Sequence, residues 1–174
     1  MELGTFHEVD GRPAVRFQRV YRHSPERIWA AITDPAELAH WFPSAVALEP
    51  RAGGTIEFSG DPHIDDETGK IVEFDPPRRL VYTWGEHELR FELEPAGVGG
   101  CVLTFVDVLP SRDAAALTAA GWNVCLAEMD KLVSGAVANG PHSATAEPWQ
   151  AHYDAYIAAG MPAGAPIPQL KDKG

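Results

Sequence analysis

The longest regular pattern of apolar positions lies between Asp113 and Ala138, where apolar residues recur every three or four positions. This spacing predicts one amphipathic helix, because it places the apolar side chains on a single face. Asn123 and Glu128 fall on the opposite side and are expected to face water. Ser111 is a suitable N-cap, and Gly140, followed by proline, is expected to end the helix. The apolar face consists of Trp122, Cys125, Leu126, Met129, Leu132, Val133 and Ala136.

Short runs of alternating apolar and polar residues come before this helix and predict β-strands. Asp10-Gly11 is a strong hairpin signal, so residues 5–9 and 14–22 are expected to pair. The other strands are predicted at residues 46–49, 55–59, 70–74, 79–84, 87–94 and 101–109, and residues 60–69 read as a polar, acidic loop. A long helix with one wide apolar face needs such a sheet to cover.

Two of these runs say most about the interior. The run from His87 to Glu94 alternates cleanly, and both His87 and Arg90 are interpreted as outward residues. The residues expected to face inward are Leu89, Phe91 and Leu93. The run from Cys101 to Leu109 is apolar on both faces except at two positions, one of them Asp107. That pattern is typical of a central strand, or of one with a helix on one side and a lined cavity between.

Two short helices are predicted between the second and third strands. Ser24 is a natural N-cap and Pro25 suits the first helical position. Asp34-Pro35 ends the first helix and begins the second, because proline restricts the residue before it, and Pro43 ends the second. The apolar sides of the two helices are Ile28, Trp29 and Ile32, and Leu38, Trp41 and Phe42.

After the long helix, a polar linker leads to a further predicted helix at residues 147–159. Its aromatic face is expected to dock on the domain, although a binding stripe or a dimer patch is an alternative. That face consists of Trp149, Tyr153, Tyr156 and Ile157. We therefore expect one α+β domain over residues 1–140, a helical extension over 141–160, and a disordered tail over 161–174, which is rich in Pro and Gly.

Charge and composition narrow the function. The chain has 174 residues and a formal net charge of −11, which argues against nucleic-acid and anionic-membrane partners, since both select clustered Lys and Arg. No apolar run is long enough to span a bilayer and the N-terminus does not resemble a signal peptide, so we expect a cytoplasmic protein, monomeric or homodimeric. Cys101 and Cys125 are expected to be small buried hydrophobic residues.

Several segments together resemble a known family. Residues 24–35, SPERIWAAITDP, resemble the opening of the Hsp90-ATPase-activator-homologue (AHSA1-like) family, and Arg51–Gly54 fits its glycine turn. Residues 69–84, GKIVEFDPPRRLVYTW, resemble its characteristic hairpin, and Gly121-Trp122 also matches. The resemblance runs from about Gly4 to Gly140. That family belongs to the START-like (SRPBCC, Bet v1-like) superfamily.

The resemblance implies a helix-grip fold, in which a curved antiparallel sheet wraps around the long C-terminal helix and two short helices follow an N-terminal strand. The space between sheet and helix can stay open as a pocket with aromatic walls. The residues expected to line it are Trp29, Trp41, Phe58, Phe74, Tyr82, Trp84, Phe91, Phe105, Asp107, Trp122, Leu126 and Met129. Gly121 is expected to mark either a close backbone contact, a local break in the helix, or a loop between two helices.

Candidate chemistry is sparse. The sequence contains no nucleophile elbow, P-loop, dinucleotide fingerprint or zinc-type spacing, and we expect no cofactor or metal. Residues 61–67, DPHIDDE, read as a solvated loop because they lack the spacing of a calcium loop. Asp107 is the best candidate for a general acid or base if it is buried, and solvation or a salt bridge is the alternative. Arg19 breaks an apolar strand face and is expected to pair with a ligand carboxylate, Asp107 or Glu57.

Three functions fit these observations. The first is non-catalytic binding of a small hydrophobic ligand between sheet and helix. The second, implied by the resemblance, is partnership with an Hsp90-type chaperone. The third, also implied by the resemblance because the same superfamily includes such enzymes, is an enzyme of the polyketide-cyclase or dehydratase type, which would use Asp107 as acid or base and Arg19 to orient the substrate. Without a recognisable catalytic motif, the sequence favours the first.

Overall fold

The computed structural model describes residues 2–170, and the last four residues of the predicted tail lie outside this range. The strands are β1 Thr5–Val9, β2 Arg12–Tyr21, β3 Ala45–Leu48, β4 Thr55–Ser59, β5 Glu67–Asp75, β6 Arg79–Trp84, β7 His87–Ala96 and β8 Gly100–Val108. The helices are α1 Pro25–Thr33, α2 Pro35–Leu38, α3 Ala115–Ser134 and α4 Trp149–Ala158. This element order is that of the predicted helix-grip fold.

The strands form one eight-stranded antiparallel sheet in the order β1-β2-β8-β7-β6-β5-β4-β3. The register of β5 and β6 shifts between Ile71 and Glu73, and such an irregularity increases the local bend of a strand. β5 begins at Glu67, within the stretch predicted as an acidic loop. Its early start gives β4 a partner, since Glu57 pairs with Thr68.

β8 lies inside the sheet, between β2 and β7. Its odd-numbered residues, from Cys101 to Asp107, are buried toward α3, while Val102, Thr104 and Val106 are half-exposed on the other face. The strand is therefore central, as predicted, with a helix on one side only. An open groove of about 770 Å³ runs along the outer face, far from the predicted pocket.

The N-terminal caps of the two short helices form as predicted. The Ser24 side chain accepts a hydrogen bond from the backbone N–H of Arg27, and the Asp34 side chain accepts one from Ala36. These bonds satisfy N–H groups that have no partner within the helix. α2 ends at Leu38 rather than at the predicted Pro43, and the Nε1–H of Trp41, just beyond it, donates to the carbonyl of Ala31 on α1 at 2.8 Å.

α3 differs from its prediction at its C-terminal end. It ends at Ser134, where Gly135 adopts a left-handed conformation with φ of 84°, so the predicted end near Gly140 is wrong. The helix ends at Gly135 because the backbone N–H of this residue donates to the carbonyl of Leu132 and closes the last turn. Ala136, assigned to the apolar face, consequently lies beyond the helix and is exposed.

The start and middle of α3 also differ from expectation. Ser111 does not cap the helix: it precedes a 3-10 turn and its hydroxyl donates to Asp113. Gly121 lies within one continuous helix, and a Cβ placed there would meet no atom within 4 Å. Among the described residues, neither a close contact nor a break therefore explains Gly121.

The supposedly polar side of α3 is partly buried by the C-terminal extension. Asn123 and Glu128 are both buried, contrary to prediction, and α4 packs against α3 on the side of Asn123. The Tyr156 hydroxyl donates to the Asn123 side-chain oxygen, and Glu128 pairs with Lys131. Docking of α4 on its own domain is thus confirmed, although Ile157 points outward and is exposed.

The segment that follows α4 makes contacts of its own. Met161 and Ala163 pack against the core. The backbone N–H of Ala116 donates to the carbonyl of Pro162, and that of Ala165 donates to the carbonyl of Asp113. The described part of the predicted tail therefore borders the start of α3.

Candidate functional site

A carboxyl group lies at the centre of the candidate site. Asp107 is 0% exposed and projects from β8 toward α3. It accepts a hydrogen bond from the Trp122 Nε1–H at 2.8 Å and one from His87 Nδ1 at 2.8 Å. Two donors, one of them able to carry charge, compensate the removal of this carboxylate from water. The sequence left open whether Asp107 is buried or solvated at the end of its strand, and the structure shows it buried and paired with His87.

Strand register brings His87 to this carboxylate. Glu88 on β7 pairs with Val108 on β8, so His87 and Asp107 are diagonal neighbours on the same face of the sheet. The interpretation of His87 as an outward residue is wrong. His87 and Leu89 are two positions apart, and side chains two positions apart in a strand share a face.

His87 is open on its other side. Its side chain is 26% exposed, and its Nε2 has no hydrogen-bond partner among residues 2–170. Because a carboxylate can only accept hydrogen bonds, Nδ1 carries the hydrogen and Nε2 of the neutral ring holds a free lone pair. His87 and Asp107, here called the dyad, thus combine a fixed buried end with an accessible one.

Charge around the dyad affects its protonation. Burial lowers the pKa of His87, but the charge and hydrogen bond of Asp107, helped by the charge of Glu67, outweigh burial, and the pKa lies above its ordinary value of 6.5. Arg12 acts weakly in the opposite direction. Tyr82 senses the same carboxylate, since burial first and the charge of Asp107 second raise the pKa of its hydroxyl.

Aromatic rings surround the dyad and contact one another across the space between sheet and α3. We call this set the aromatic cluster: Phe42, Phe58, Tyr82, Trp84, Phe91, Phe105 and Trp122. The ring centroids of Phe105 and Trp122 lie 4.8 Å apart, and those of Trp84 and Trp122 lie 5.7 Å apart. These are contact distances for aromatic pairs, so the protein's own side chains occupy this part of the interior.

Trp84 differs from the other members of the cluster. It is half-buried at the end of β6, and its ring centroid lies 6.1 Å from that of His87. Its Nε1 is buried and has no hydrogen-bond partner within the described chain. An unpaired buried donor is costly, and a ligand carbonyl or hydroxyl oxygen would satisfy it.

The structure brings most of the predicted lining residues together, but not all. Trp29 and Phe74 form a separate, half-buried edge-to-face pair at 5.4 Å. Trp41 contacts the cluster through Phe42, which the prediction omitted although it follows Trp41 directly. The predicted residues that share the core with the aromatic cluster also include Leu126 and Met129, both fully buried on α3.

Arg19 does not reach the dyad. It is 8% exposed, its guanidinium donates to the backbone carbonyls of Gln18 and Glu2, and its nearest carboxylate is that of Glu2 at 3.7 Å. The predicted pairing with Asp107 or Glu57 is therefore wrong. Glu2 in the N-terminal segment, for which no role was predicted, supplies the partner instead.

Within residues 2–170, no group of three or more His, Cys, Asp or Glu side chains is arranged to hold a metal ion. In the loop before β5, Asp61 instead accepts a hydrogen bond from the backbone of His63. No helix in the described part of the chain is long and apolar enough to cross a membrane.

Comparison with known proteins gives the same architecture. The sequence model of the family described as "Activator of Hsp90 ATPase homolog 1-like protein" matches residues 22–134. CalU16 from Micromonospora echinospora is 23% identical, with a TM-score of 0.70 over 88% of this chain and 90% of that chain. EF2215 from Enterococcus faecalis, described as a conserved protein of unknown function, is 20% identical, with a TM-score of 0.73 over 93% and 92%.

A third solved structure is DynU16, described as a protein of the dynemicin biosynthetic locus. It is 22% identical, with a TM-score of 0.62 over 73% of this chain and 50% of that chain. No curated protein sequence matched the chain. At these identities the likeness is one of fold, and function has to be argued from the site.

Proposed function

Since this chain belongs to the Activator of Hsp90 ATPase homolog 1-like family, whose fold suits ligand binding or polyketide-cyclase-like chemistry, we propose that it binds a small, largely apolar molecule between the curved sheet and α3. The observation that supports this proposal is that two polar atoms without a partner in the described structure, His87 Nε2 and Trp84 Nε1, lie at one end of the aromatic cluster. Apolar walls with a few convergent polar groups characterise small-molecule sites.

Entry of the ligand requires one ring to move, because the cluster fills its own space. Trp84 is the side chain that moves most readily. It is only half-buried and its Nε1 loses no hydrogen bond on leaving, whereas Phe105 is fully buried between its neighbours. A flat aromatic ligand that enters beside the shifted Trp84 ring would stack on this ring and on Trp122, and its hydroxyl group would donate a hydrogen bond to His87 Nε2.

The proposal is tested with 2-naphthol, a bicyclic apolar probe with one hydroxyl group. We expect saturable binding by calorimetry, with NMR shifts at the backbone amides of His87, Asp107 and Trp122. Trp84→Leu should weaken binding about tenfold, the equivalent of ~1.4 kcal/mol, because an aromatic contact is lost. Trp149→Leu, which alters a half-buried tryptophan on α4, should leave binding unchanged.

Absence of saturable binding, or equal losses of affinity in the two tryptophan variants, would contradict the proposal.

We also propose that the protein is cytoplasmic. Its two cysteines are free and buried, which agrees with a reducing compartment.

Partnership with an Hsp90-type chaperone is the alternative that the family's description suggests. It would be supported if the purified chain stimulated the ATPase of a chaperone of that type and the Trp84→Leu variant stimulated it equally. Such a result would locate function on the outer surface of the protein rather than at the dyad.

A further inference from the structure

We propose that His87 is an acid–base catalyst at this site, that Asp107 positions it, and that the substrate is a small apolar ketone whose α-carbon loses and regains a proton. This inference rests on the proposed binding function and goes beyond it, because it assigns a reaction to the same site. The catalytic role thereby belongs to His87, which was predicted to point outward, and not to Asp107, which the sequence indicated.

Geometry assigns different roles to the two members of the dyad. Asp107 is fully buried and both of its oxygens are engaged, one by Trp122 and one by His87, so it cannot contact a substrate directly. His87 has one nitrogen committed to Asp107, while Nε2 has no partner in the described structure. A carboxylate behind an imidazole fixes its ring and tautomer and stabilises the imidazolium that forms.

The charges around His87 suit proton transfer in both directions. Asp107 and Glu67 favour the imidazolium, while burial and Arg12 favour the neutral ring. No full positive or negative charge from another residue is in hydrogen-bond contact with Nε2. The neutral ring can therefore take up a proton, and the resulting imidazolium can return it.

The proposed step is balanced within the site. His87 Nε2 takes the α-proton of the ketone, so that a C–H bond breaks and an N–H bond forms, and the electron pair of the C–H bond moves into the enolate. The enolate oxygen accepts a hydrogen bond from the Trp84 Nε1–H, which lacks a partner within residues 2–170. The imidazolium then returns a proton to carbon, and no oxidant or reductant is needed.

The apolar substrate class follows from the walls of the site. The rings around the dyad offer stacking surfaces, and the unpaired polar atoms beside it in the described part of the chain include His87 Nε2 and Trp84 Nε1. A ketone needs one hydrogen-bond donor and one base, which is what these two atoms supply. A carboxylate or phosphate ester would need several donors, and Arg19, which could have bound one, is committed to the N-terminal segment.

The test is hydrogen–deuterium exchange at the α-carbon of 2-tetralone in D₂O, followed by NMR. The full chain should exchange this probe faster than the same concentration of free imidazole. His87→Gln should slow the enzyme-dependent rate about a hundredfold, within the range typical of a general acid–base residue, and still bind 2-naphthol. His7→Gln, which removes an exposed imidazole on β1, should leave the rate unchanged.

Asp107→Asn provides a readout that a merely structural role would not move. Because the Asp107 charge raises the pKa of His87, its removal should shift the pH–rate profile for exchange to lower pH as well as lower the maximum rate. An unshifted profile with an altered maximum would assign Asp107 to packing alone and overturn its positioning role.

The possible failures can be told apart. If 2-tetralone and 2-naphthol bind but exchange never exceeds the imidazole rate, or if His87→Gln exchanges like the parent protein, the catalytic inference is overturned while the binding function stands. If neither probe binds, both proposals are overturned.

Discussion

At the scale of single residues, the dyad shows how a buried carboxylate is retained. Two directed donors, from Trp122 and His87, replace water around Asp107, and removal of either would leave charge uncompensated at a cost of about 1–3 kcal/mol or more. The compensation couples folding to pH, because one donor is itself titratable.

The sign of this coupling follows from the raised pKa of His87. Protons bind the folded protein more tightly than the unfolded chain, so the stabilisation is fully present below pH 6.5 and is lost as the pH rises through the folded-state pKa. We expect the free energy of unfolding, measured with urea, to fall over this window. His87→Gln should remove that fall, while His7→Gln should keep it, and identical pH profiles for all three proteins would refute the coupling.

At the scale of elements, two glycines illustrate opposite constraints on the backbone. Gly121 lies within α3 with open space where a side chain would be, so it costs helix stability without a visible contact in return. Gly69 on β5 faces the Thr83 backbone of β6, and a Cβ there would come within 2.0 Å of the Thr83 carbonyl oxygen. The close approach of β5 and β6 requires Gly69.

Alanine should therefore have opposite effects at the two positions. Gly121→Ala should raise the free energy of unfolding by about 0.5–1 kcal/mol, because alanine has the higher helix propensity. Gly69→Ala should lower it by about 1–3 kcal/mol, since two packed strands must separate. Chemical denaturation of both variants measures the difference, and a destabilised Gly121→Ala protein would reveal a constraint on α3 that its contacts do not explain.

At the scale of the whole molecule, one hydroxyl joins distant parts of the chain. The Tyr156 hydroxyl on α4 accepts a hydrogen bond from the Gly4 backbone at 2.7 Å and donates to Asn123 on α3. Asn123 also donates to the carbonyl of Glu2. The N-terminal segment, the long helix and the C-terminal extension therefore share one buried polar network, which explains why Asn123 is tolerated in the interior.

Tyr156→Phe should be strongly destabilising for its size. It removes one oxygen but leaves the Gly4 N–H and the Asn123 side chain without their partner, at a cost of about 1–3 kcal/mol. Tyr153→Phe is the matched control, because Tyr153 is half-buried and stacks on Trp149 without a hydrogen bond to its hydroxyl among the described residues. Urea denaturation should separate the two variants, and equal midpoints would show that the network adds nothing to stability.

Much of the fold was predictable because its signals are local. Ser24 and Asp34 cap their helices through neighbours two or three residues away, and Asp10-Gly11 closes a hairpin between adjacent strands. Family-like segments supplied the order of the elements. Even the inward position of His87 follows from alternation with Leu89, a signal that was present but was misinterpreted because histidine is polar.

The sequence by itself determined the helix-grip architecture, since alternation and helical spacing depend on neighbours along the chain, and it left the burial of Asp107 open. Tertiary structure alone decided which partners meet. His87 reaches Asp107 through strand register, Arg19 turns to Glu2 instead, and α4 buries Asn123. Such pairings join residues that are up to 152 positions apart, and a linear pattern does not encode which distant donor satisfies a given buried acceptor.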